Sequence, residues 1–296
     1  MKTYGDYLSG IFPDVKVQKL SVDAGFTCPN RDGTISTGGC IYCRNDSFSP
    51  GYCNSADTIT QQLENGKKFF AGKYPEMKFL AYFQSYTGTY NKSLSELSKL
   101  YYEALNVEKV IGLVIATRPD CISDETLDLL KTINSTYPVF IELGVESSYD
   151  DTLKKINRNH TWMDVVKAVE QISDRQLRCG IHLIAGLPGE NEDMVLSTVD
   201  KVCELNIDTI KMHQLQVLKD TQLFHMIQSG EISVMNFTLD EYLNLCVKIV
   251  KRIPDHIVIE RFLSQSPPGM VVSPSWGLKN YEFMAKLSKL LNNQTS

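Results

Sequence analysis

The chain has 296 residues, 43% of them hydrophobic and 22% charged, and 30 Lys+Arg against 35 Asp+Glu leave a formal net charge of -5. That composition excludes a disordered, collagen-like or low-complexity chain. Mild acidity without a Lys/Arg block also excludes a protein that coats nucleic acid by charge alone, though not one with a local basic groove. No window approaches the roughly 20 apolar residues that span a bilayer, and the opening MKTYGDYLSGIFPDV lacks the apolar run of a signal peptide, so a cytoplasmic protein without membrane contact is expected. In chain order, strands are expected over 17–23, 78–84, 110–117, 138–145, 178–186 and 209–217. Several are nearly continuous apolar runs, the mark of parallel strands buried on both faces. Between them, helical periodicity covers 58–73, 93–105, 123–132, 162–173 and 192–204. Ser123 fits an N-cap, but Thr126 stands where a full capping box needs Glu or Gln. The alternation predicts parallel strands joined by right-handed crossovers, six units filling residues 17–230. Beyond 230 the rhythm changes to a helix over 239–252, a strand over 257–262, a Pro-rich loop over 264–274 and a helix over 279–291. Residues 231–296 are therefore expected as a small accessory α/β region on a core of residues 1–230.

Eight cysteines are distributed unevenly: Cys28, Cys40, Cys43 and Cys53 fall close together, while Cys121, Cys179, Cys203 and Cys246 are scattered. In a reducing compartment, clustered thiols bind metal or do redox chemistry more often than they pair. The first three are spaced C-x11-C-x2-C, in a loop rich in Asn, Asp and Gly directly after the first expected strand. A structural zinc wants four ligands and would have to recruit Cys53. A lone C-x-x-C redox pair would leave Cys28 over. An iron–sulfur cluster on three thiolates would keep one iron open at the mouth of a barrel, where chemistry is done.

Six stretches then carry a resemblance: GFTCPNRDGTISTGGCIYC at 25–43, YFQSYTGTY at 82–90, ATRPDC at 116–121, ELGVESSYDDTLKKINRNH at 142–160, HLIAGLPGE at 182–190 and IKMHQLQVLKDT at 210–221. They resemble the radical SAM superfamily and, more narrowly, the YhcC/YtqA type, a bacterial group related to the radical SAM catalytic subunit of Elongator. The x11 gap departs from the superfamily's commonest C-x3-C-x2-C and is the spacing of this subgroup. The resemblance implies a partial (β/α)6 TIM-like barrel of radical SAM type with the small C-terminal accessory region.

The same resemblance implies that Cys28, Cys40 and Cys43 ligate a [4Fe-4S] cluster whose loop lies at 25–53. The open iron would hold the amino and carboxylate groups of S-adenosyl-L-methionine, from which one electron releases a 5′-deoxyadenosyl radical. It places Tyr42 near the adenine, Gln84, Ser85 and Tyr86 at the methionine amino group, Arg158 at its carboxylate, and Gly186 and Gly189 along the adenine pocket. Glu142, Gly144 and Glu146 end the fourth strand and are placed with the cofactor site, because buried carboxylates need a partner or a site. His182 and His213 are candidate acid–base residues, Cys121 and Cys179 match family positions, and Cys203 and Cys246 read as core. Wobble uridine of tRNA is the substrate the Elongator relationship implies, with conversion of a carboxymethylaminomethyl to an aminomethyl group as the expected step, and flavodoxin or ferredoxin as external electron donor. Phosphate contacts would fall to local patches among Lys67, Lys68, Lys154, Lys155, Lys248, Lys251, Arg252 and Arg261, and Trp276 and Arg261 are candidate substrate contacts. A small metabolite or protein substrate, and a zinc-stabilised binding protein without catalysis, are the competing expectations.

Overall fold

The computed structural model describes residues 2–71, 74 and 76–293; positions 72–73 of the helix expected over 58–73, and Pro75 after it, lie outside the described residues. The elements run α1 (Tyr4–Ile11), β1 (Val17–Val22), α2 (Ile59–Ala71), β2 (Lys78–Phe83), α3 (Leu94–Leu105), β3 (Val110–Thr117), α4 (Asp124–Asn134), β4 (Val139–Glu146), α5 (Asp150–Lys155), α6 (Trp162–Asp174), β5 (Arg178–Ala185), α7 (Glu192–Cys203), β6 (Thr209–Gln214), β7 (Val217–Leu218), α8 (Gln222–Gln228), α9 (Leu239–Val250), β8 (Val258–Arg261), β9 (Val271–Ser273) and α10 (Asn280–Asn293).

The six expected core strands stand side by side in sequence order, every pair parallel. β8, from the tail, pairs parallel with β6 and makes the curled half-barrel sheet seven strands wide. Within the stretch expected as a Pro-rich loop, β9 forms and pairs antiparallel with β7. The expected helices are present, and their ends are set by local chemistry: Ser93 and Thr238 close full capping boxes with Glu96 and Glu241, whereas Ser123 caps α4 without a reciprocal carboxylate. Each such cap contributes about 1 kcal/mol. No helix among the described residues is long and apolar enough to cross a membrane.

Alternate strand residues face opposite sides. Phe79, Ala81, Phe83, Leu113, Ile115, Ile141 and Leu143 turn outward into one core with Leu97, Leu130, Val169, Val199 and Leu245 of the surrounding helices. On the inner side Leu80, Val114 and Phe140 meet Leu8 of α1 and Phe12, which caps its C-terminus. This short helix plugs the barrel floor, so the interior opens at the carboxyl ends of the strands.

Candidate active site

A cavity of about 1060 Å³ fills that open end. Its wall contains residues at the ends of several strands, among them Gln84, Thr117, Glu146 and Gln214, which is where α/β barrels place their chemistry.

The loop after β1 brings Cys28, Cys40 and Cys43 to this one cavity. Arg31 and Asp32 donate their N–H groups to the Cys28 carbonyl at 2.8 and 3.2 Å, Gly39 donates to Asn30 at 2.7 Å, and Cys43 donates to Cys40 at 2.9 Å. Gly38 and Gly39 turn with φ of 80° and 83°, and a Cβ at Gly39 would meet the Arg31 guanidinium at 3.0 Å. Docking contacts fix the loop: the Asn157 side chain donates to the Gly39 carbonyl at 2.7 Å, Ile41 donates to Ile156 at 3.1 Å, and Leu223 donates to Ile41 at 2.8 Å. Cys28 and Cys40 are buried and Cys43 half-buried. Burial, with Cys40 beside it, pushes the Cys43 thiol up to about 11. Two cations answer the sulfurs, since Arg158 Nη1 lies 3.8 Å from Cys40 Sγ and Arg31 stands against Cys43. Asn30 Nδ2 adds a third donor, 3.6 Å from the same Sγ. Cys53 is turned away: its thiol donates to the Ser21 carbonyl at 2.9 Å.

Three thiols flanked by two guanidiniums form a donor set that fits an anionic iron–sulfur cluster. Among the described residues no three His, Cys, Asp or Glu side chains converge to hold a single metal ion. The Arg158 Nε and Asn30 Oδ1 atoms are buried without a partner, so polar capacity remains beside the thiols.

Below the loop a charged layer crosses the barrel. Glu142 of β4 accepts from Lys19 Nζ of β1 at 2.5 Å, from Lys211 Nζ of β6 at 2.8 Å and from Tyr82 Oη of β2 at 2.6 Å. It also pairs with His182 Nε2 of β5 at 2.8 Å. Glu260 of β8 pairs with the same two lysines at 2.7 and 3.2 Å. Lys19 therefore links the first and last strands of the sheet, which are not neighbours in its ladder. Burial alone would raise Glu142, but Lys19, Lys211 and His182 together hold it well below the ordinary carboxylate range. Burial pushes Lys211 down, and burial with the Lys211 charge brings His182 to about 4. His213 donates to or accepts from Ser264 Oγ at 2.7 Å, and burial and Arg261 hold it well below its ordinary value. Both histidines line the cavity.

At the end of β4 the register slips between Gly144 and Glu146, and Glu146 sits at φ 69°. A non-glycine residue in that region carries strain of about 1–3 kcal/mol, held here by Arg158, whose Nη2 donates to the Gly144 carbonyl at 2.5 Å and lies 3.6 Å from Glu146. Burial raises Glu146, partly offset by Arg158. Tyr42, Gln84, Tyr86, Glu142, Gly144, Glu146 and Arg158 all line the cavity.

Ser85, Gly186 and Gly189 do not line it. Ser85 is buried beside the cavity rather than open to it. The turn after β5 is tied down by Leu187, which packs with Ile41, Leu215 and Leu223. A Cβ at Gly186 would face Phe237, and one at Gly189 would face Lys155. Trp276 likewise leaves the site, stacking on Tyr242 and donating to the Phe237 carbonyl at 3.3 Å.

Composition and motif reading passed over Lys19, Tyr82, Lys211 and Glu260, although a lysine interrupting an apolar strand was the available signal. It also passed over Arg118, which is fully buried, forks onto Asp120 at 2.8 and 2.7 Å, and keeps an unpartnered Nη1.

The Radical SAM superfamily model matches residues 31–202 and the Radical_SAM C-terminal domain model residues 207–293. The protein YtqA of Bacillus subtilis is 31% identical over 281 residues, covering 95% of this chain and 86% of that one. YhcC of Escherichia coli is 32% identical over 278 residues, covering 94% and 88%. The tRNA uridine(34) acetyltransferase of Methanocaldococcus infernus is 30% identical over 144 residues, which are 48% of this chain and 26% of the relative. The structure of the archaeal M. infernus Elp3 with an N-terminal deletion superposes with a TM-score of 0.65 at 20% identity, over 95% of this chain and 64% of that one. Half-barrel, thiol loop and matching models together define a radical SAM enzyme, with a [4Fe-4S] cluster and S-adenosylmethionine as cofactors. The chain belongs to the YtqA/YhcC family of that superfamily.

Proposed function

We propose that Cys28, Cys40 and Cys43 hold the cluster, and that the enzyme acts on the C5 side chain of wobble uridine in tRNA, converting carboxymethylaminomethyl to aminomethyl. The bond from nitrogen to the carboxymethyl carbon breaks, water supplies an oxygen, the two-carbon fragment leaves as glyoxylate, and the two electrons are balanced by cleavage of S-adenosylmethionine to methionine and 5′-deoxyadenosine. The observation that carries this reading is the shared cavity: one space joins the three thiols to His182 and His213 and to an aromatic and basic rim. When bound, the cluster and S-adenosylmethionine supply the radical chemistry. The chain's own residues bind and orient. Arg158, anchored on the Gly144 carbonyl, presents a guanidinium beside the sulfurs for a carboxylate. Gln84 accepts from Ser21 Oγ at 2.9 Å, which fixes its amide at the cavity wall. Phe48, Phe69 and Tyr86 are exposed and line the mouth, with Lys68 and Arg31 near them. Aromatic faces set among cations suit an unstacked base and its phosphates. The relative named tRNA uridine(34) acetyltransferase supports the same substrate class.

Nucleoside mass spectrometry of tRNA from a strain lacking the gene tests the proposal. Accumulated 5-carboxymethylaminomethyluridine with depleted aminomethyl product is expected. An unchanged wobble-uridine profile overturns it.

A further inference from the structure

Among the described residues, the cations deep in the cavity are answered by a carboxylate or by the thiols, with one exception. Lys19 and Lys211 share Glu142 and Glu260, Arg158 lies beside Glu146 and the thiols, and Arg118 forks onto Asp120. Arg261 lines the same cavity and has no ion pair among the described residues. Its Nε is buried and without a hydrogen-bond partner.

Its position comes from a backbone device. In a regular strand Glu260 and Arg261 would face opposite sides. Here the β6–β8 register slips between Ile210 and Lys211, so that Ile210 stands opposite Ile259 and Lys211 opposite Arg261. Such a slip re-aims side chains, and both Glu260 and Arg261 reach the cavity. Lys211 and Glu260 beside Arg261 pair with each other at 3.2 Å, and the same cavity wall carries polar groups: His213, near enough for the Arg261 charge to act on it, with Ser264 Oγ at 2.7 Å, and Gln216 with Ser266 Oγ at 2.9 Å. Hydroxyl, amide and imidazole groups can donate to an anion, and no carboxylate is paired with the guanidinium to compete for it.

We propose that Arg261 is the docking point for a carboxylate on the substrate, held bidentately by the guanidinium fork with help from the surrounding hydroxyl and amide donors. Resting on the tRNA reading above, that carboxylate is the one at the end of the carboxymethylaminomethyl side chain. The planar fork matches a carboxylate in a way a lysine cannot. The site thereby selects substrate still carrying the acid over the aminomethyl product, which lacks it.

The test uses cluster-loaded enzyme under anaerobic conditions without reductant. It compares binding of three anticodon stem-loops bearing 5-carboxymethylaminomethyluridine, its neutral carboxamide analogue or unmodified uridine. Wild type is expected to bind the acid about tenfold or more tightly than the amide, the range of a charge-assisted bidentate contact. Arg261→Gln should abolish that preference while leaving the amide affinity, the iron content and S-adenosylmethionine binding unchanged. Arg261→Lys should restore only part of it. Equal binding of acid and amide by wild type overturns the carboxylate site while leaving the tRNA reading to its mass-spectrometric test. An equal loss for all three RNAs in Arg261→Gln also overturns it, assigning the residue to the RNA backbone. If none of the RNAs binds, the tRNA reading falls, and an iodide soak of crystals decides the anion site alone. An anomalous peak on the guanidinium that Arg261→Gln removes supports it, and no peak overturns it.

Discussion

Glu142 offers the sharpest test of how the barrel interior is held. Its carboxylate is 5% exposed and has four partners, two of them lysines that are 12% and 3% exposed. Glu142→Gln keeps the shape but removes one negative charge, leaving Lys19 and Lys211 to share Glu260. Breaking a buried pair from one side destabilises by about 3–5 kcal/mol, because the stranded charge stays desolvated. At about 2 °C per kcal/mol for a chain of this size, the melting temperature should fall by about 6–10 °C. The variant should recover somewhat as pH rises. With Glu142 gone the folded pKa of Lys211, already lowered by burial, drops further, so the unfolded state binds the extra proton and stability increases with pH. The double variant Glu142→Gln, Lys211→Met returns the layer to one cation and one anion, the Lys19–Glu260 pair at 2.7 Å. It should be less destabilised than the two single variants added together by at least about 1 kcal/mol. Thermal and urea unfolding of the cluster-free protein read these values. A Glu142→Gln melting point within about 2 °C of wild type, or strict additivity in the double variant, would refute the argument that the network is a mutually neutralised unit.

The remaining predictions follow from the thiols and the histidines. Cys28→Ser, Cys40→Ser and Cys43→Ser should each lose most of the iron bound on anaerobic reconstitution, whereas Cys53→Ser, whose thiol donates to the Ser21 carbonyl, should keep it; full iron in any of the first three refutes the ligand set. His182 is held near 4 against an ordinary 6.5, so the unfolded state takes up its proton first and stability is lost as pH falls from about 6.5 towards 4. That loss runs at up to about 1.4 kcal/mol per pH unit for one proton. His182→Asn should flatten the acid limb of a urea-unfolding profile by one proton's slope, and an unchanged limb would show that this imidazole is not the group titrating.

The outward half of the fold was legible because parallel strands covered on both faces leave long apolar runs, as at Val110–Thr117 and Arg178–Ala185. Short elements were not. α1 carries Gly5 and Gly10, α5 is a single stretch of six residues, and β9 lies between prolines, so none shows a sustained period. Spacing picked out the three thiols that the fold brings to one cavity, and their role as a ligand set rests on the resemblance. Arg261 was named only as a candidate contact, since its aim depends on a register slip that no periodicity reveals. Gly186 and Gly189 show glycine chemistry that the sequence does carry: they turn at φ 96° and 85°, and Leu187 between them packs with Ile41 of the thiol loop.

A TIM-type barrel ordinarily fills its interior with branched apolar layers. This half-barrel keeps such a layer only at the floor, where Leu80, Val114 and Phe140 meet α1, and replaces the next with two lysines and two glutamates. Tyr82 and His182 add neutral hydrogen bonds to the same glutamate. An incomplete sheet explains the substitution. Apolar side chains close a full barrel by packing from all sides, but here β1 and β8 stand as unpaired edges of one sheet, and long charged side chains reach across the gap that a ladder would otherwise close. Because the four charges cancel, the layer supports the cavity without imposing a net field on it. What a substrate meets above it is then set by Arg261, which has no ion pair among the described residues, and by the guanidiniums that answer the sulfurs. This is how a chain with a net charge of -5 holds a locally positive chamber while remaining acidic overall.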